Sequence, residues 1–98
     1  MEVFVNVRKA NNDVFITVCD CDLLGKKIIE GNLVLDISRD FFSGERMTKE
    51  AAVDVLRAAT IASFVGELAV SCGIEAGLVH RDSIIRIGGI PHAQFIMI

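Results

Sequence analysis

The segment Gly88-Gly89-Ile90-Pro91-His92-Ala93-Gln94 gathers the residue types best suited to a site. Two glycines permit positive φ or a close backbone approach, and the only proline of the chain stiffens the turn. In the extended chain that follows, His92 and Gln94 project from one side, because strand side chains alternate. A histidine on a rigid loop serves as general base, metal ligand or hydrogen-bond donor. The plainer role is a glycine–proline turn whose His92 and Gln94 satisfy buried backbone groups. Loop placement is the warrant for function here, and it makes Gly89, Pro91, His92 and Gln94 the leading binding residues.

Glu67 is the one charged residue between Ala58 and Ser71. Buried in that apolar stretch it would have a raised pKa and become an acid or base. The structural alternative is a carboxylate paired with Arg86, Lys26 or a backbone amide, or simply exposed. Cys19-Asp20-Cys21-Asp22 suggests a metal, with His92 or Cys72 as further ligands, but structural zinc uses wider cysteine pairs and a second ligand pair. The neighbouring carboxylates also oppose a thiolate, so no metal and no cofactor is expected. Phe41-Phe42 beside Arg39 and Arg46 has the composition that stacks single-stranded bases. The alternative is a loop that tucks its phenylalanines into the core. Lys26-Lys27 and His80 read as surface. Glycine phosphate loops, G-x-S-x-G and H-E-x-x-H are all absent.

The bulk numbers narrow the classes further. At 98 residues, 52% hydrophobic and a mean hydropathy of +0.51, this is one domain with ample apolar surface for folding. A chain of this size buries only roughly 60–68% of its unfolded surface, so some apolar material is expected at an interface between copies, a homodimer. A net charge of −3 and a pI near 5.2 argue against general DNA or RNA binding. The start, MEVFVNVRK, alternates and does not read as a signal peptide, and no apolar run reaches membrane-spanning length. With its 3 cysteines read as reduced thiols, a cytoplasmic protein is expected.

Elements that must position these residues follow from periodicity. Residues 2–8 and 14–19 alternate and flank Ala10-Asn11-Asn12-Asp13, a hairpin signal. Asp20 or Asp22 caps a short helical turn, and residues 32–38 alternate again, with Leu33, Leu35 and Ile37 inward. A loop from Ser38 to Met47 precedes Thr48, which caps a long helical region. Ala52, Val55, Leu56 and Ala59 make its first stripe, and Phe64, Val65, Leu68 and Cys72 continue it to Gly73, read as the C-terminal cap. One helix, or two joined near Thr60-Ile61, would fill that span. Ile84, Ile85 and Ile87 form a fourth strand, and Ala93 to Ile98 a last one. The uncharged FIMI end must lie inside the sheet or in a subunit interface. The order gives an α+β domain over 1–98: two layers, a mostly antiparallel sheet of about five strands, helices on one face.

Several strings together resemble a family of small single-domain archaeal proteins of unknown function: Val18-Cys19-Asp20, Leu24-Gly25-Lys26, Leu33-Val34-Leu35, Ala59-Thr60-Ile61-Ala62, Val65-Gly66-Glu67 and Gly89-Ile90-Pro91-His92-Ala93-Gln94-Phe95. The resemblance spans nearly the whole chain; Cys21 departs from it. It implies an archaeal cytosolic protein and a shared fold, with no reaction attached. Two functions remain to be weighed. The first is a self-associating interaction module for a protein or ribonucleoprotein, with a link to translation, whose ligand surface includes His92, Gln94 and Glu67, Phe41 and Phe42 being further binding candidates. The second is a small enzyme using Glu67 and His92 as an acid–base pair in a helix–sheet cleft.

Overall fold

The computed structural model describes all 98 residues. Strands β1 (Glu2–Ala10) and β2 (Asp13–Asp20) form the expected hairpin, closed by Asn11 at a φ of 56°. After a 3-10 turn at Cys21–Leu23, β3 (Lys27–Glu30) and β4 (Leu33–Asp36) make a hairpin of their own. Next come α1 (Arg39–Phe42), β5 (Glu45–Thr48) and α2 (Lys49–Leu56). Thr48 caps α2 as expected, accepting from the Ala51 amide at 3.3 Å. Then follow β6 (Ile61–Val65), α3 (Glu67–Glu75), a 3-10 turn at Arg81–Ser83, β7 (Ile85–Ile87) and β8 (Ile90–Ile96). Gly88 and Gly89, both at positive φ (56° and 79°), form the two-residue turn joining β7 to β8.

Six strands make the main sheet, in the order β5-β1-β2-β6-β8-β7, and only β2 and β6 run parallel. The α+β, mostly antiparallel expectation stands, with corrections. About five strands in two layers becomes a six-stranded sheet plus a separate two-stranded one. Helices α2 and α3 pack on one face, against Val3, Val5, Ile16, Val18, Ala62, Phe64 and Ala93. The opposite face carries α1 and the β3–β4 hairpin over a second core of Cys19, Leu23, Leu35, Ile37, Phe42, Val65 and Ile87.

The largest correction falls within residues 58–71, read as helix: β6 lies there at the heart of the sheet, and only from Glu67 onward is the span helical. A short apolar run covered on both faces loses its alternation and looks like a buried helix segment. Gly73 lies inside α3, where a Cβ would press on Val79 and the Phe64 ring; the helix ends instead at Ala76. At the β6–α3 junction Gly66 takes a φ of 109°. Asp20, from the end of β2, accepts there from the Leu68 and Ala69 amides at 3.2 and 2.7 Å. A carboxylate from another strand thus caps α3.

Candidate functional site

Strand register lays the second face out in rows. One row runs Asn6, Thr17, Ser63 and Gln94. It is a polar line across a face that is otherwise mainly apolar. Its first half is covered: Asn6 Nδ2 donates to the Ser43 carbonyl at 2.7 Å and Thr17 Oγ1 to the Phe41 carbonyl at 3.2 Å. Its second half is open. The side chains of Ser63 and Gln94 make no hydrogen bond within the chain. Ser63 is 6% exposed, and no fully buried side-chain N or O lacks a partner, so its hydroxyl reaches solvent.

The flanking rows set the walls. On one side lie Phe4, Cys19, Val65, His92 and Ile85. His92 is half-buried, and burial lowers its pKa below the ordinary value, so the ring is neutral at pH 7 with one donor and one acceptor. On the other side lie Arg8, Phe15, Ile61 and Ile96. Phe41 stacks edge-on against Phe15 at 5.6 Å, while the Arg8 guanidinium sits 5.1 Å from its centroid and donates to the Asp40 and Phe41 carbonyls. Ser83, Ile85, His92, Ala93 and Gln94 line a depression of about 170 Å³. The set offers a hydroxyl, a carboxamide and a neutral imidazole between aliphatic walls, and so hydrogen bonding without charge.

A larger depression, about 310 Å³, lies among Met1, Glu2, Asp20, Cys21, Asp22 and Leu68. Its most enclosed acceptor, Asp20, is already committed to capping α3. Burial raises the Asp20 pKa despite its two amide donors.

The structure joins some of the sequence candidates and separates others. His92 and Gln94 share one side as expected, but they lie within β8 rather than on a loop. Phe41, 37% exposed, belongs to the same face, whereas Phe42 is 5% exposed and belongs to the core, which removes it as a binding residue. Pro91 is buried on the helical side of the sheet, opposite Arg86. Gly89 is exposed at the turn.

Glu67 is not buried; it opens α3 and pairs with Arg86 at 2.9 Å, which lowers its pKa through that hydrogen bond. Arg86 and Pro91 point to the helical side and His92 to the other, so Glu67 and His92 do not form the acid–base pair. The apolar run that suggested a buried Glu67 is split by β6, and the glutamate stands where a helix dipole favours it. Cys19 and Cys72 are buried on opposite faces, and burial pushes their thiols up to about 12 and about 11. No three His, Cys, Asp or Glu side chains converge on a metal position. Sequence reasoning missed Ser63 and Ser83; the signal for Ser63 was a lone hydroxyl within Ile61-Ala62-Ser63-Phe64-Val65.

No helix is long and apolar enough to cross a membrane. No curated protein matches the chain. The crystal structure of an uncharacterized conserved protein from Methanopyrus kandleri is similar along most of its length: 33% identity, a TM-score of 0.86, and 97% of this chain and 90% of that one covered. A family of proteins of unknown function, DUF424, matches residues 7–98. With nearly all of the six-stranded sheet and its open face inside that match, the chain belongs to the DUF424 family.

Proposed function

We propose that this chain is an archaeal cytoplasmic interaction module that self-associates and docks a protein surface, free or within a ribonucleoprotein. The observation that carries this reading is the half-open polar row: Ser63, His92 and Gln94 unengaged beside Ile85, which is 55% exposed. Neutral hydrogen-bonding groups ringed by aliphatic side chains suit a protein surface, since buried polar groups need partners and charges are costly to desolvate. The net charge of −3 and the engagement of Arg8 with α1 weigh against a phosphate backbone. The likeness to the Methanopyrus kandleri protein supports the archaeal assignment. An enzymatic reading loses its base–acid pair once Glu67 and His92 lie on opposite sides.

The test is capture from archaeal cell extract on immobilised protein, wild type against a His92→Ala/Gln94→Ala double variant of unchanged circular dichroism. Loss of a specific partner on the variant supports docking here; equal capture removes these side chains from the account.

A further inference from the structure

Two hydrogen bonds at the ends of the β6–β8 ladder fix where each β8 peptide points. The Gly66 amide donates to the Pro91 carbonyl at 3.0 Å, and the Met97 amide to the Thr60 carbonyl at 2.8 Å. Bonded pairs alternate along an antiparallel ladder. Pro91, Ala93, Phe95 and Met97 therefore turn their peptide groups toward β6, and His92, Gln94 and Ile96 turn theirs away. β7 meets these outward groups only as far as Ile85 opposite His92. Beyond that point the chain leaves through the Arg81–Ser83 turn, and the backbone N–H and C=O of Gln94 and Ile96 have no partner. The depression of about 170 Å³ lies along this unpaired edge.

The two sides of the sheet treat their edges differently. β5 carries Glu45 and Arg46, the latter 3.8 Å from Glu2, with Lys49 following. Charges of this kind discourage further pairing. No charged residue occurs from Ala93 to Ile98, and Ile96, Met97 and Ile98 are exposed. An unpaired, uncharged edge with apolar side chains is a template for another strand.

We propose that a second copy of this chain pairs antiparallel along the open β8 edge, about a two-fold axis at Ile96. This rests on the self-association in the proposed function and supplies its surface. Ile96 then faces Ile96 of the second copy, and Gln94 faces its Ile98. A two-fold at Phe95 is blocked, because it would set Ile98 against His92, whose outward peptide is already bonded to Ile85. The chosen register sets the free outward peptides of Gln94 and Ile96 against the second copy and brings Ile98 of one copy beside the depression of the other. Each copy carries a net charge of −3, yet no charged side chain lies on the meeting strips. The arrangement is isologous, as two-fold dimers require. It leaves the side chains of Ser63, His92 and Gln94 on the open face.

Sedimentation equilibrium with amide exchange tests this on the full chain. Wild type is expected as a dimer in which the Gln94 and Ile96 amides are protected. Ile96→Pro deletes only an outward donor, twice across the axis, and should weaken the dimer about tenfold or more while the Gln94 amide becomes fast-exchanging. Ile96→Val keeps the donor and should keep the dimer. If Ile96→Pro does not fold, Ile96→Lys opposes two like charges across the axis and should give monomer. A wild-type monomer with exposed Gln94 and Ile96 amides overturns the proposal. So does a dimer that survives Ile96→Pro, or these amides becoming protected only when a strand from another protein is added. The His92→Ala/Gln94→Ala variant retains every peptide group, so it should lose partner capture and remain a dimer, which separates the two readings.

Discussion

His92 gains its chemical character from burial alone. Its pKa lies below the ordinary 6.5 because the half-buried ring resists protonation. Unfolding therefore takes up a proton in the interval between the folded value and 6.5. The sign follows: the stabilisation is present above the unfolded pKa and is lost as pH falls through the folded one. Thermal unfolding measured from about pH 8 to about pH 5 should show wild type losing more stability than His92→Gln, and equal losses would mean the ring is solvated. The thiols make a second residue-scale prediction. Cys19 and Cys72 are buried with raised pKa values, while Cys21 is partly exposed. A thiol reagent on native protein should modify Cys21 and leave the other two until denaturant is added, a pattern readable by mass spectrometry.

Among the elements, the β6–α3 junction holds the most specific demands. Gly66 stands at a φ of 109°, and a Cβ there would collide with the Asp20 carboxylate. Gly66→Ala should cost about 3 kcal/mol, from backbone strain plus a displaced cap. Asp20→Ala should cost about 1–2 kcal/mol through the loss of the amide acceptor. Asp20→Asn should cost less, because burial already pushes the Asp20 pKa up and the asparagine oxygen still accepts. Chemical denaturation checks the order. The same junction shows what local pattern conveys. The β1–β2 hairpin, the Thr48 cap and the shared side of His92 and Gln94 were legible, each depending on residues adjacent in sequence. β6 was not, since its alternation vanishes when both faces are covered. β3 and β5, at four residues each, were too short to establish a period. The cap on α3 arrives from a residue 48 and 49 positions away, a partnership no local reading detects. For the site, the pair on β8 was visible, but not Ser63, which needed the strand register, nor the separation of Glu67, which needed β6.

At the scale of the whole molecule, the sheet is asymmetric in two ways. One face is sealed by α2 and α3, while the other is only partly covered by α1 and the β3–β4 hairpin. One edge is charged, and on the other side the β8 segment beyond β7 is uncharged and unpaired. The covered parts satisfy their polar groups within the chain; the open parts, Ser63, His92 and Gln94 on the face and the β8 backbone at the edge, do not. The proposed self-association through the edge and the proposed docking through the face are separable, because one would use peptide groups and the other side chains.

A paired capture experiment tests docking through the open face: wild type and the His92→Ala/Gln94→Ala variant exposed to the same archaeal extract, with bound proteins identified by mass spectrometry. A protein, alone or with its RNA, should be retained by wild type and absent from the variant, with both forms folded and both dimeric. The same proteins on both forms, or none on either, would contradict it.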